Sequence, residues 1–360
     1  MKIAIDCRHI NSSGIGVYLK GCLPYFLASE HRFLLICRGT IPGEAQGHDR
    51  VEIIETNIRP FSLAEVLRRP KALSEAINAC DLYYSPFMNI PRGLRIPLYT
   101  TIHDMVFPDL PGLVSSAGLA LRMFFYRRAF RHSSRIFTVS EFSKGRIEYY
   151  SDNKVPVTVT HSALQPYLLE PPAGTEEPAP AFAQGPYILF VGNIKKNKGL
   201  VYLLDALLLA KKEGPIPPLV ILGNMGNFRT FDEAVHAKVS LFEPGELHIV
   251  GSLSQEELRA LFRGAALLVQ PSLYEGFGLP PLEALVSGCP ALISDIPVFR
   301  EIYDGLPVQY FTLGNPEELK QKIFAIIEKN ERINLTEEET RRYNFEKTAR
   351  IIMKAWEAHA

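Results

Sequence analysis

The sequence predicts an α/β protein with two doubly wound, mostly parallel sheets, and three observations lead there. Short apolar runs alternate with longer helical patterns, a proline-rich stretch interrupts this rhythm near the middle, and the same rhythm then restarts. In the first series the buried-strand runs are KIAID from Lys2, FLLIC (33–37), VEIIE (51–55), LYYS (82–85), LYTTIH (98–103), RIFTVS (135–140) and VTVTH (157–161). Between them lie amphipathic stretches such as Gly16–Ala28 and Leu119–His132, which carry the 3.6-residue period of helices packed on a sheet. In the second series YILFVG (187–192), LVILG (219–223), LHIVG (247–251), ALLVQ (266–270) and CPALIS (289–294) play the strand part.

The break at 170–186, EPPAGTEEPAPAFAQGP, holds five prolines and little that could be buried, so it reads as a linker. The expected organisation is a first domain over 1–169, the linker 170–186, a second domain over 187–344, and a tail helix over 345–360. Ile351, Ile352, Ala355 and Trp356, the one tryptophan, stand at helical spacing in that tail. Such halves resemble a pair of Rossmann-like domains facing across a cleft.

Bulk properties exclude several classes. With 360 residues the chain is long enough for two cores, and 47% hydrophobic with 22% charged residues is the composition of a packed protein. Lys+Arg and Asp+Glu both number 39, so no basic excess points to nucleic acid. The five cysteines are scattered in apolar runs without Cys-x-x-Cys or Cys/His spacing, which implies buried free thiols in a reducing compartment and no zinc. Asp6 and Arg8 interrupt the first apolar run too early for a signal-peptide core, and no run approaches the length of a spanning helix. A cytoplasmic protein is expected.

Two glycine loops follow opening strands. Gly14-Ile15-Gly16 lies between the first strand and a helix, but Leu19 stands where a dinucleotide fingerprint needs its third glycine. Either a tight turn or close approach of a ligand to the backbone explains the pair. In the second half, Asn193-Ile-Lys-Lys-Asn-Lys-Gly199 crowds Lys195, Lys196 and Lys198 into a loop leading to a helix, which is a place for a diphosphate or else a solvated turn. A Walker spacing is absent.

The most specific segment is PSLYEGFGLPPLEALVSG at 271–288. Pro280 and Pro281 suit a first helical turn, Leu279 is expected to be extended before them, and Gly288 ends the helix. Glu275 then lies in the loop, Glu283 in the first helical turn, and the N–H groups of Gly276–Leu279 at the entrance. A loop of this kind can hold hydroxyls by its carboxylates and oxyanions by its amides. A helix-capping role accounts for Glu283 alone, because the dipole favours a carboxylate there. Glu275 has no such account.

With its Glu-x7-Glu pattern the segment resembles the signature of the family 4 retaining glycosyltransferases, which include glycogen synthases and bacterial mannosyltransferases and have the GT-B fold. GIGVY, TIHD (101–104), VSEFSK (139–144), YILFVGNIKKNKG, LVILG, IVGSLSQEEL (249–258) and SDIPVFREI (294–302) extend the resemblance over nearly the whole chain. It implies that Glu275, Gly276, Phe277 and Gly278 hold the donor sugar, with Leu279 among the donor-binding residues, that Glu283 holds the nucleotide ribose, and that the tail helix over 345–360 packs back on the first domain. It assigns the diphosphate to Lys198 and to the backbone at Gly14 and Gly16, and places His103 near the reacting sugar and acceptor. Asn193 occupies a position that is often arginine in the family, so Lys195 or Lys196 shares the charge.

No Asp-x-Asp is present, so no carboxylate pair is set to hold a metal, and the leaving group is left to lysines and helix N-termini. No cofactor or metal is expected beyond the substrate nucleotide-sugar. Retention by double displacement needs a carboxylate nucleophile, which the residues do not identify; the family implies same-face substitution. GDP-mannose is the favoured donor, UDP- and dTDP-sugars the alternatives, and a glycan or lipid-linked acceptor in polysaccharide biosynthesis is implied. Leu121–Arg135 holds five arginines, four aromatics and no acid, which fits either peripheral membrane contact or a core helix with a basic outer face. The rival reading is a catalytically silent donor-binding partner.

Overall fold

The computed structural model describes residues 1–60, 70–169, 185–223 and 233–358, and all structural statements concern these. The chain divides into two compact units. The first comprises residues 1–108, 115–163 and 343–360, and the second 109–114 and 164–342.

In the first unit β1 (Lys2–Asp6), α1 (Ser13–Leu27), β2 (Arg32–Cys37), β3 (Val51–Glu55), α2 (Lys71–Asn78), β4 (Leu82–Ser85) and β5 (Leu98–Thr101) follow in order. The short α3 (Val106–Asp109) and the long α4 (Ser116–His132) precede β6 (Arg135–Thr138), α5 (Glu141–Ser151) and β7 (Val157–Val159). All seven strands are parallel, in the order β3-β2-β1-β4-β5-β6-β7. Buried cores cover both faces of this sheet, as its near-continuous apolar strands require. On one face Ala4, Leu34 and Tyr83 pack with Ile77, and further along Ile136 packs with Phe125 and Phe130; on the other face Tyr84 and Phe137 pack with Phe26 and Trp356.

The second unit runs through α6 (Pro166–Leu169), β8 (Ile188–Val191), α7 (Leu200–Lys211), β9 (Leu219–Leu222), α8 (Glu233–Val239), β10 (Leu247–Val250) and α9 (Gln255–Gly264). It continues with β11 (Leu267–Gln270), α10 (Leu279–Val286), β12 (Ala291–Ser294), α11 (Pro297–Ile302), β13 (Val308–Phe311), α12 (Pro316–Lys329) and α13 (Glu337–Thr340). Its six parallel strands lie in the order β10-β9-β8-β11-β12-β13. Strand β13 is absent from the sequence reading. As a half-exposed edge strand of four residues, it lacks the continuous apolar run that marks its neighbours.

Both sheets reverse their winding beside their first strand, at β1/β4 and at β8/β11. At such a switch point the loops beyond two neighbouring strands diverge and leave a crevice at the carboxyl ends, where ligands of open α/β sheets bind.

Two boundaries differ from the sequence expectation. Residues 164–169 and 109–114 belong to the second unit. The Tyr167 carbonyl accepts from Arg259 Nη1 at 3.1 Å, and Asp109 accepts from Tyr274 Oη at 2.8 Å, so each segment is hydrogen-bonded into that unit. The linker reading at 170–186 lies, except for Gly185 and Pro186, outside the described residues. The tail forms α14 (Phe345–Glu357), which packs on α1 in the first unit. Phe345 lies against Gly21, a site with no room for a side chain, and Trp356 is fully buried beside Phe26 and Tyr84.

Candidate functional site

The crevice of the second unit is built from the loops beyond β8 and β11. After Val191 the chain turns at Gly192, passes half-buried Asn193, and is pinned by buried Ile194. Lys196–Lys198 then form one 3-10 turn. Gly199 takes a left-handed conformation (φ 64°) that leads into α7, and a Cβ there would collide with the Pro271 carbonyl of the neighbouring loop. That glycine lets the two loops touch.

They are also hydrogen-bonded. Leu273 N donates to the Asn197 carbonyl at 2.9 Å, and Asn197 Nδ2 donates to the Tyr274 carbonyl at 3.3 Å. This stitching brings Lys198 to Glu275, and Lys198 Nζ donates to both carboxylate oxygens, at 2.7 and 2.9 Å. Glu275 is 8% exposed, while the Lys198 side chain retains 21% exposure. The loops that the sequence singles out separately, 77 residues apart at this pair, thus form one cluster.

Beyond Glu275 come Gly276, buried Phe277 and Gly278. Gly278 has φ 85° and caps α10, which begins at Leu279. The expectation of an extended Leu279 and of Glu283 in the first turn is therefore corrected. The left-handed glycine turns the chain into the helix before the prolines arrive, and Pro280 and Pro281 fill first-turn positions whose N–H groups have no helical acceptor. Glu283 is the fifth helical residue. The helix entrance is clamped by buried Tyr303, whose hydroxyl donates to the Gly278 carbonyl and accepts from Leu282 N at 3.1 Å.

Glu283 differs from Glu275 in its surroundings. Its carboxyl makes no ion pair or hydrogen bond among the described residues, and burial pushes its pKa up to about 7. A carboxyl without a partner can accept hydrogen bonds from hydroxyl donors such as those of a ribose.

Gly14, Gly16 and His103 belong to the first unit. The two glycines lie inside the first turns of α1, which starts at Ser13, not in a loop before a helix at Gly16. Gly16 abuts the carbonyls of His9 and Ile10, leaving no space for a Cβ, whereas nothing crowds Gly14. His103, beyond β5, meets the Pro86 carbonyl through Nε2 at 3.0 Å and the edge of Tyr18 at 5.2 Å between ring centroids. Burial lowers its pKa to about 4, outweighing the Pro86 hydrogen bond, so the ring is neutral at pH 7 and Nε2–H donates.

The basic segment 121–135 is not one helix. Helix α4 ends at His132, and Arg135 opens β6, where it donates to Thr158 Oγ1 at 2.7 Å. Phe125, Tyr126 and Phe130 are core residues, but Leu121 and Phe124 are 51% and 47% exposed, with exposed Arg127 and Arg131 further along the same face. No described helix is long and apolar enough to cross a membrane. Among the described residues no three His, Cys, Asp or Glu side chains are gathered as a metal-holding group.

Sequence reasoning missed Asn197, Ser272, Gln270 and Tyr303. Asn197 lies within the lysine loop, while Gln270 ends the apolar run of β11 and Ser272 follows two residues later, and a polar residue at that strand end was the available signal.

Comparison with known proteins shows which family the chain resembles. Residues 175–344 match the model described as glycosyl transferases group 1, and residues 12–164 match glycosyltransferase family 4. An uncharacterized glycosyltransferase of Methanocaldococcus jannaschii is 27% identical over 80% of this chain and 78% of its own. O-antigen chain mannosyltransferase B of Escherichia coli is 27% identical over 61% of this chain and 58% of its own. Sucrose-phosphate synthase from Thermosynechococcus elongatus superposes with a TM-score of 0.71 at 16% identity, covering 99% and 98% of the two chains. The Anabaena protein HepE, solved with UDP-glucose, gives 0.69 at 14% identity over 99% and 100%. Two parallel-sheet units, each with its loops at a switch point and each matched by its own glycosyltransferase model, place this chain in the GT-B glycosyltransferases of the family 4 kind.

Proposed function

We propose that the chain transfers mannose from GDP-mannose to a glycan or lipid-linked acceptor in cell-surface polysaccharide assembly, with retention and without a divalent metal. The observation that carries this reading is the meeting of Lys198 and Glu275 at the β8/β11 switch point, which sets a cation for a diphosphate beside a carboxylate for sugar hydroxyls. The mannose choice is supported by relatives named as mannosyltransferases, among them O-antigen chain mannosyltransferase B and GDP-mannose:cellobiosyl-diphosphopolyprenol alpha-mannosyltransferase of Xanthomonas oryzae, 34% identical over 33% of this chain.

In this scheme Glu275 and the amides of Gly276, Phe277 and Gly278 hold the sugar, and Glu283 takes the ribose hydroxyls. Lys198, with Asn193 and Lys195 or Lys196, meets the diphosphate. As the bond from the anomeric carbon to the phosphate oxygen breaks, charge grows on the departing diphosphate, and the ammonium stabilises it. The acceptor hydroxyl attacks from the same face and passes its proton to that leaving oxygen. Neutral His103, whose one N–H goes to the Pro86 carbonyl, offers Nδ1 as a hydrogen-bond acceptor on the acceptor side. The exposed apolar and basic face of α4 serves as a peripheral contact with anionic lipid.

Incubation with a panel of nucleotide sugars, with and without chelator, tests the reading, and the product's anomeric configuration is read by NMR. Turnover of GDP-mannose with retention in the presence of chelator is expected. Selective turnover of a UDP- or dTDP-sugar would replace the donor, and inversion would overturn the mechanism.

A further inference from the structure

We infer that Ser272, supported by Gln270, is a positioning residue that fixes the Glu275 carboxylate and leaves its Oε2 to take the donor sugar's hydroxyl; this rests on the function proposed above. Both residues are fully buried where β11 runs out into the site loop. Gln270 Nε2 donates to Ser272 Oγ at 2.9 Å, and the Ser272 hydroxyl donates to Glu275 Oε1 at 2.7 Å. The Ser272 carbonyl accepts in turn from Ser294 Oγ at 2.5 Å, which ties this short segment to the end of β12.

Because the hydroxyl has one proton, accepting from Gln270 directs that proton to Glu275. The arrangement leaves Gln270 Oε1 buried and without a hydrogen-bond partner, so the amide is oriented toward the serine at the expense of its own oxygen. Oε1 of Glu275 is fully engaged, by Ser272 and by Lys198, whereas Oε2 accepts from Lys198 alone and keeps a free lone pair. When a diphosphate draws Lys198 away, Oε2 opens further and the serine remains as the hold on Oε1. The rotamer of Glu275 then no longer depends on the cation that the substrate takes.

A coupling cycle tests this. Ser272→Ala should lower kcat/KM for the donor by about tenfold, the loss of one hydrogen bond to a charged group. The Kd for free nucleoside diphosphate, which lacks the sugar, should stay within about twofold, and Ser272→Thr should restore turnover. In a Glu275→Gln background the same Ser272→Ala change should cost less than about twofold, because no carboxylate is left to position. A purely structural serine would instead weaken nucleotide and sugar alike in both backgrounds. Should Ser272→Ala fail to fold, Gln270→Leu carries the test with an expected loss of about threefold. An active wild type with an unimpaired Ser272→Ala, or a full loss persisting beside Glu275→Gln, overturns the inference alone. A wild type that turns over no nucleotide sugar overturns the proposed function, and the inference with it.

Discussion

Lys198 Nζ bridges the two oxygens of Glu275 at 2.7 and 2.9 Å, so the cation assigned to the diphosphate is paired with the carboxylate assigned to the sugar. In the proposed reaction, donor binding exchanges that contact for two others. Each charge keeps a partner throughout, and neither is left buried alone.

Removing the carboxylate should therefore affect turnover more than folding. Glu275→Ala is expected to lower kcat/KM by about tenfold to a hundredfold, corresponding to ~1.5–3 kcal/mol for a charge-assisted hydrogen bond. Lys198 is partly exposed and can turn to water, so the circular dichroism spectrum should be unchanged. Wild-type turnover in this variant, with any active donor, would remove Glu275 from the sugar site.

Removing the cation should have a different signature. Lys198→Ala should raise donor KM and lower kcat together, since its partner gains charge in the transition state. Steady-state kinetics in chelator check this. Activity lost to chelator and restored by magnesium or manganese would transfer the leaving-group charge to a metal.

Glu283 gives a pH prediction. Its folded pKa of about 7 lies above the 4.5 of an unperturbed glutamate, so between these values the native state binds more protons than the unfolded one. Its contribution is thus most favourable below pH 4.5 and is lost as pH rises through 7, by about 3 kcal/mol in all. Glu283→Gln should flatten this part of the stability profile in denaturant melts from pH 5 to 8. Ribose hydroxyls favour the ionised form, so nucleotide binding near pH 6 should release a proton, seen by calorimetry in buffers of different ionisation enthalpy. Equal heats in those buffers would separate Glu283 from the ribose.

The tail helix should govern the first unit's stability. Trp356 lies 4.9 Å from the Phe26 ring and 5.4 Å from Tyr84, and Tyr99 Oη donates to the Ala355 carbonyl at 2.9 Å. Trp356→Ala should cost about 3–5 kcal/mol by transfer and cavity terms. A melting temperature within a degree of wild type would show that α14 ties nothing.

The outer face of α4 is tested on vesicles. Replacing Leu121 and Phe124 by serine should weaken sedimentation with anionic vesicles while leaving the melting temperature unchanged, because both side chains are exposed. Neutral vesicles should bind weakly even the wild type. Undiminished binding by the double variant would assign the face another role.

What the sequence determined by itself is the two-sheet architecture and the motif residues. Buried parallel strands must be apolar along their whole length, so runs such as KIAID and YILFVG were legible without any tertiary information. Edge strand β13 was not, since only part of it is buried. Local rules misplaced the start of α10, because proline disfavours helix in the residue before it, and only the folded chain places Tyr303 to clamp Gly278 and turn Leu279 into the helix. The partnership of Lys198 with Glu275, and of Glu275 with Ser272 and Gln270, was decided by tertiary structure alone. Sequence spacing encodes which side chains share a face of one element, whereas the meeting of two loops depends on β8 and β11 lying side by side at the switch point.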